Sequence, residues 1–454
     1  MSRVPPRASR LQSACQRRAA PPLSVQGRKG GEVSQADVIQ SQAPTARAPL
    51  QQPEPGLTPD DVIGRARAMR QMLRDNQDAA DRRGWYGPEI HEEFRKAGFY
   101  RILQPRIFGG YEFDYPTFIK VIYELAIGHP STAWCYTLGT SHGFLIASHW
   151  PEQTQWEIFG GSGGEVRVCQ RATPAGVLTP VDGGYLITGD FGFASGAPIS
   201  THFVGSSMLA QGEGPPRTLH FVVAREQFEM LPDWGGDHSL GMQGSGSNTI
   251  RLKDVFLPAH HVIDADFMMS SRGYNDGTPG TRLHGNPMYI GVAAGAFLTE
   301  FGAITTGAAR AAIEEYERLL DVTPLARSGG KTRRADPEAW RSLGKAMNLA
   351  DAAEAVTFVA VEAYMEQCRR WERDRTPILA ADTLKLWGMA QEASQLACRA
   401  VDLLFETAGP RASMGGQRLQ RYFRDIQMYR VHTTAQPSFV TLRAQAHLGF
   451  LPER

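Results

Sequence analysis

Arg421-Tyr-Phe-Arg-Asp-Ile-Gln-Met-Tyr-Arg-Val-His432 packs three arginines, an aspartate and a histidine into twelve residues, shortly after the breaker Ala408-Gly409-Pro410. A histidine, with an unperturbed pKa of about 6.5, suits a base that takes a phenolic or N–H proton near neutral pH. His432 is one of 12 histidines, so the plain alternative is an ordinary packed or surface ring. Arg424 and Asp425 read as a structural ion pair. Phe193-Ala-Ser-Gly196 follows the strand-like Tyr185 to Asp190 and precedes Pro198, which puts Ser195 on the rim of a β-domain. Its plain reading is a turn serine bonded to its own backbone. Trp134 and His142, by default a buried aromatic and a core histidine, lie in and just beyond Ser131-Thr-Ala-Trp-Cys-Tyr136.

Patterns required by several other chemistries are missing. Cys15, Cys135, Cys169, Cys368 and Cys398 show no CxxC or metal-like spacing, and read as reduced thiols in a cytoplasmic enzyme. No HxxxH pair or nucleophile triad stands out, and no metal site is expected. Gly241 to Gly246 spells G-x-x-G-x-G, but it lies between strands instead of opening a helix, so it is no dinucleotide fingerprint.

The Arg421–His432 segment, Phe193–Gly196 and Gly241-Met-Gln-Gly-Ser-Gly-Ser-Asn248 together resemble the acyl-CoA-dehydrogenase-fold flavin monooxygenases. These are the oxygenase components of two-component systems, and the resemblance runs roughly from Thr58 to the C-terminus. It implies a hydroxylase that inserts one oxygen atom of O2 into a small, mostly aromatic substrate through a flavin C4a-hydroperoxide. Reduced FMN or FAD would come from a separate flavin reductase. Such a site must exclude water and hold the flavin N5 with a fixed polar group. By the same resemblance Ser195 faces the flavin near N5, with Phe193 and Gly196 of its motif as cofactor contacts. His432 then faces the substrate as the catalytic base, Trp134 stacks on the isoalloxazine ring, and His142 contacts substrate. The Gly241–Asn248 turn helps identify the fold and is assigned no chemistry.

Two other readings compete. An acyl-CoA dehydrogenase needs a carboxylate base at the substrate α-carbon, yet Met428 to Pro437 contains no acid. Only Glu300, on the first long C-terminal helix, could serve instead. A non-catalytic flavin-binding descendant is the other.

At 454 residues the chain has room for about three domains at ~150 residues each. Its 42% hydrophobic and 21% charged residues suit a globular protein with a sizeable core. A formal charge of +1 gives no global pull toward nucleic acid or an acidic membrane surface. The longest apolar run, Met288 to Ile304, is interrupted by Glu300 and falls short of the ~20 apolar residues of a membrane span.

Three folded regions follow an extension. Residues 1–57 are rich in Pro, Ser, Ala, Gln and Arg, with no acid before Glu32, and are expected to be disordered. Residues 58–164 read as a helical domain that starts at the Thr58-Pro59-Asp60 cap. Residues 165–275 switch to a strand period. Gly176–Val181 and Tyr185–Gly189 flank Asp182-Gly183-Gly184 as a hairpin, and a small β-barrel or sandwich is predicted. Residues 276–454 return to helices, as a four-helix-bundle domain. There Trp340, Leu343, Met347, Ala350 and Ala353 form a predicted stripe, and Leu386, Ala390, Ala393, Ala397, Ala400 and Leu404 a small-residue face. This α+β order, helical then β then helical, matches the acyl-CoA dehydrogenase architecture, whose resemblance also implies a homo-oligomer, tetramer or dimer.

Overall fold

Thr58 opens the first helix through a reciprocal cap. Its hydroxyl accepts from the Asp61 N–H at 3.2 Å, Asp61 accepts from the Thr58 N–H at 3.0 Å, and Pro59 fills the first helical position. The computed structural model describes residues 47–209, 217–264, 266–326 and 329–451. Among these, seven helices precede the first strand: α1 Pro59–Ala68, α2 Arg70–Arg83, α3 Gly87–Lys96, α4 Tyr115–Gly128, α5 Pro130–Thr140, α6 Gly143–His149 and α7 Glu152–Gln155. The chain then widens into a π-helical turn, Trp156–Gly160. Helices α4 and α5 are buried along nearly their whole length, so they form the floor on which the other layers rest.

The central region is a two-sheet sandwich. Strands β1 Val168–Arg171, β4 His202–Leu209, β5 Arg217–Ala224 and β8 Val262–Asp264 make one sheet, in the order β1-β4-β5-β8 with β1 parallel to β4. Strands β2 Val177–Val181, β3 Gly184–Phe191, β7 Ile250–Pro258 and β6 Glu229–Met230 make the other, in the order β2-β3-β7-β6. Leu178, Ile187, Phe191, Phe203, Phe221 and Leu252 fill the space between them, with the Phe191 ring 5.4 Å from Phe203 and 5.7 Å from Phe221. The predicted hairpin is β2–β3, paired from Val177↔Thr188 to Val181↔Gly184.

Helix α8 Pro279–His284 leads into α9 Ala293–Val322, α10 Pro337–Asp374, α11 Ala380–Thr407, α12 Arg418–Val431 and α13 Ser438–His447. The predicted small-residue face of α11 is buried throughout: Leu386, Ala390, Ala393, Ala397, Ala400 and Leu404. Small side chains let α9 approach closely enough for the Thr305 hydroxyl to donate to Ser394 Oγ at 3.0 Å. None of the described helices is long and apolar enough to cross a membrane.

Two expectations need correction. The α10 stripe is half right: Ala350 and Ala353 are buried as predicted and Leu343 packs against the core, but Trp340 and Met347 are exposed, and Ala339, Ala346 and Thr357 are buried instead. The alanine surface, not the bulky one, fits against α9 and α11, so side-chain size misplaced the buried arc. The extension also ends earlier. Residues 1–46 lie outside the described residues, but residues 48–57 pack onto the helical layer. The Leu50 N–H donates to Ile107 O at 2.9 Å, the Gln52 amide to Gly110 O at 2.6 Å, and Leu57 is buried. These are mostly backbone contacts, which leave no apolar period to read.

Candidate active site

Three layers meet at one cavity of about 360 Å³. Its lining comes from α5 (Trp134), the end of β1 (Arg171), the loop after β3 (Phe193 and Ser195), Trp234, the turn before β7 (Met242, Ser245 and Ser247), and the end of α12 with the residues after it (Met428, Val431, His432 and Thr433).

Ser195 is the hub of its polar wall. The buried Trp134 indole N–H donates to Ser195 Oγ at 3.0 Å, Ser195 and Ser247 hydroxyls lie 2.7 Å apart, and Ser247 and Ser245 another 2.7 Å apart. Trp134 also meets His432 edge to face, with ring centroids 5.4 Å apart at 82°, and Phe301 of α9 at 5.0 Å. The Phe301 and His432 centroids are 5.1 Å apart. Thus Trp134, Ser195 and His432, which are distant in the chain, share one wall.

His432 follows the last turn of α12 and is half-buried. Thr434 Oγ1 lies 2.8 Å from Nδ1, which also accepts the Thr434 N–H at 3.4 Å, so Nδ1 is engaged by Thr434 and Nε2 is the ring nitrogen without a protein partner among the described residues. Burial, reinforced by the Arg171 charge, pulls its pKa down to about 4, so the ring is neutral at physiological pH. Burial alone lowers the pKa of Arg171, with no carboxylate near enough among the described residues to offset it. Its guanidinium lies 5.8 Å from the Phe193 ring centroid. Phe193 has φ 61° and stays 63% exposed. A bulky residue in the left-handed region carries strain that the surroundings must hold, and here it keeps an aromatic face open on the cavity.

These features fit a flavin ring. Trp134, Phe193 and Trp234 supply aromatic surface for a planar heterocycle, and the serine hydroxyls supply donors for its polar edge. A volume of about 360 Å³ also lies in the ordinary range for small-ligand cavities.

Other predicted residues lie elsewhere. Gly196 does not line the cavity. It is packed against α5, where an added Cβ would sit 2.4 Å from Gly139 Cα. His142 is buried outside the cavity wall, with Nδ1 2.7 Å from Leu138 O and its ring edge-on to Phe297 at 5.1 Å. Burial pulls its pKa down to about 4. Glu300 is also away from the lining. It is fully buried and accepts from the Tyr115 and Ser141 hydroxyls, and burial raises its pKa to about 8.

The expected Arg424–Asp425 ion pair does not form. Arg424 donates to Gln420 and to Leu240 O, while Asp425 accepts the Met242 N–H at 2.6 Å. The buried pair is instead Arg421–Asp81 at 2.8 Å, with Gln77 and Asp78 also bonded to Arg421. Burial, with the Asp81 carboxylate nearby, raises the Asp425 pKa. Asp425 therefore ties α12 to the Gly241–Asn248 turn, which is where sequence reasoning missed Met242, Ser245 and Ser247. The alternating Ser-Gly-Ser of that turn was the available signal. Arg171, Trp234, Met428, Val431 and Thr433 gave none.

Comparisons with known proteins agree on architecture, and the two curated relatives below are named as oxygenase components. The family model "Acyl-CoA dehydrogenase, C-terminal domain" matches residues 299–437. The chain is 27% identical over 358 residues to the flavin-dependent monooxygenase, oxygenase subunit HsaA, of Rhodococcus jostii, covering 76% of this chain and 86% of that one. It is 26% identical over 368 residues to the oxygenase component of p-hydroxyphenylacetate 3-hydroxylase from Acinetobacter baumannii, covering 80% of this chain and 82% of that one. In shape it resembles XiaF from a Streptomyces species in complex with FADH2 and glycerol, with TM-score 0.76, 21% identity, and 87% of this chain and 98% of that one covered. The fold is that of the acyl-CoA dehydrogenases.

Proposed function

From a chain whose homologues are flavin-dependent hydroxylase oxygenase components on the acyl-CoA dehydrogenase fold, we propose a reduced-flavin-dependent monooxygenase of small phenolic substrates. The observation that carries this reading is the single wall formed by Trp134, Ser195 and His432. It brings a fixed hydroxyl, an aromatic surface and a neutral imidazole to one cavity. When bound, the reduced flavin supplies two electrons, so that one atom of O2 enters the product and the other leaves as water. Ser195 holds the polar edge of the flavin. Trp134, Phe193 and Trp234 enclose the ring and limit water. His432 Nε2 takes the phenolic proton of the substrate, and Arg171 stabilises the resulting negative charge across the cavity. A phenol also fits the p-hydroxyphenylacetate named in one relative.

A separate flavin reductase supplies the flavin, as FMN or FAD. The protein acts in the cytoplasm as a homo-oligomer, dimer or tetramer, through its C-terminal helices. Glu300 gives no support to an acyl-CoA dehydrogenase, because its carboxyl lies in a closed bond set with Tyr115 and Ser141. The direct test supplies a generic flavin reductase, NADH, O2 and a panel of phenols. Hydroxylated product with matching oxygen uptake is expected. Reduction of bound flavin by acyl-CoA, with no hydroxylation of any phenol, would sink this reading.

A further inference from the structure

Away from that cavity, three side chains converge where the helical layer meets the β-sandwich. Glu157 sits in the π-helical turn Trp156–Gly160, a kind of distortion that gathers at functional sites. His260 and His261 form the tight connection between β7 and β8. Glu157 Oε2 lies 2.9 Å from His260 Nε2 and 2.8 Å from His261 Nε2, and the three ligand-type atoms all lie within 4.8 Å of one another. We propose that Glu157, His260 and His261 form a binding site for a zinc-class divalent cation.

The donor set is chemically apt. Two imidazole nitrogens and one carboxylate oxygen suit Zn2+ and its neighbours, whose bonds of ~2.0–2.2 Å place tetrahedral ligand atoms roughly 3.4 Å apart. The two Glu157–imidazole separations need open by only about half an ångström to admit such an ion, and the imidazole nitrogens already lie within 4.8 Å of each other.

The ligands are also held from behind. The Trp150 indole N–H donates to His261 O at 3.0 Å, and the Thr154 hydroxyl to His260 O at 2.7 Å. Gln153 donates to the other carboxylate oxygen, Glu157 Oε1, at 2.9 Å, so Oε2, which faces both imidazoles, is the oxygen that would ligate. The same amide lies 3.3 Å from His260 Nε2, on the ground the cation would take. The two carbonyl bonds fix the backbone that carries the imidazoles, and the Gln153 bond orients the carboxylate. Glu157 also lines a cavity of about 730 Å³, which gives water access to the remaining coordination position. Because the ligands come from two layers, the cation would tie those layers together.

The test uses the full chain, stripped with EDTA and titrated with Co2+ while its visible d–d absorption is followed. Expected is a saturable band from one Co2+ per chain, displaced by Zn2+, together with a higher Tm in Zn2+. Glu157→Gln keeps the shape of the hydrogen-bonding partner and should weaken cation binding roughly 10-fold or more. His261→Ala should remove the band. No saturable band in the folded wild type up to millimolar Co2+ would overturn the proposal. So would a band unchanged in Glu157→Gln, the isosteric variant that keeps the test valid should His261→Ala misfold.

Discussion

His432 can act as a base in only one of its two neutral forms. Proton acceptance at Nε2 requires the ring proton on Nδ1, donated to Thr434 Oγ1 at 2.8 Å, in place of the 3.4 Å bond that Nδ1 accepts from the Thr434 N–H in the other form. His432→Ala should therefore keep reduced-flavin binding but lose product by roughly the 10²–10⁴-fold of a missing general base. Oxygen uptake would continue, ending in H2O2. Quantifying both products after a single turnover checks this, and wild-type yield would remove His432 from the chemistry. Ser195 depends on a similar count of protons. It already accepts the Trp134 N–H, so its own proton reaches the flavin only if Ser247 donates to it. Ser247→Ala lets the Ser195 proton point freely but loses that second anchor, worth on the order of 1 kcal/mol. More H2O2 per product is expected, with reduced-flavin affinity lower by a few-fold. Unchanged coupling would show that the serine chain plays no part.

Helix α12 does more than carry His432 at its end. Through Asp425 it grips the Met242 N–H, and Gly241 lets the two backbones touch: an added Cβ would lie 2.2 Å from Arg424 O. Gly241→Ala should thus push the serine turn off α12, costing about 1–3 kcal/mol from overpacking. The expected result is a lower Tm together with weaker reduced-flavin binding by fluorescence titration. A lower Tm with unchanged binding would separate that turn from the cofactor. The N-terminal boundary makes a second prediction. Removing residues 1–46 should leave Tm nearly unchanged, whereas removing 1–57 should lower it, because Leu50, Gln52 and Leu57 make bonds and buried contacts. Equal Tm for both truncations would show those contacts to be idle.

What could be read from the chain follows the range of the forces involved. The Thr58 cap, the β2–β3 hairpin and the α11 small-residue face are local patterns, and all three form as predicted. Trp134, Ser195 and His432 were found by resemblance, and their meeting in space needed the fold. Asp425 was misassigned because its partner, Met242, lies 183 residues away. Trp340 was misread because bulk alone does not say which arc of a long helix faces its neighbours.

Seven histidines set the acid response of the protein. Burial lowers the pKa of His142, His202, His220, His284 and His432 to about 4 and of His149 to about 3, and lowers His91 as well. Below about pH 6.5 the unfolded chain binds protons that these folded rings refuse, so stability falls as pH drops from there toward 4. Glu300, raised to about 8, and Asp425, also raised, act the other way. Their folded forms keep protons that the unfolded chain releases above about pH 4.5, so their contribution drains away as pH rises. With seven groups against two, Tm should fall between about pH 6.5 and 5, and scanning calorimetry across that range checks the sign. A flat or rising Tm toward acid would contradict the burial of these rings.

The contact of Gly196 with Gly139 has a further consequence. Backbone meets backbone there, with no side chain to yield, so the α5 wall and the Ser195 wall form one immovable jaw. A guest cannot enter by prying them apart. The open part of the lining lies elsewhere, at Val431, 71% exposed at the end of α12 beside His432 and Thr433, and at Phe193, 63% exposed. Changes of substrate preference should therefore accumulate at those open residues before they touch the jaw.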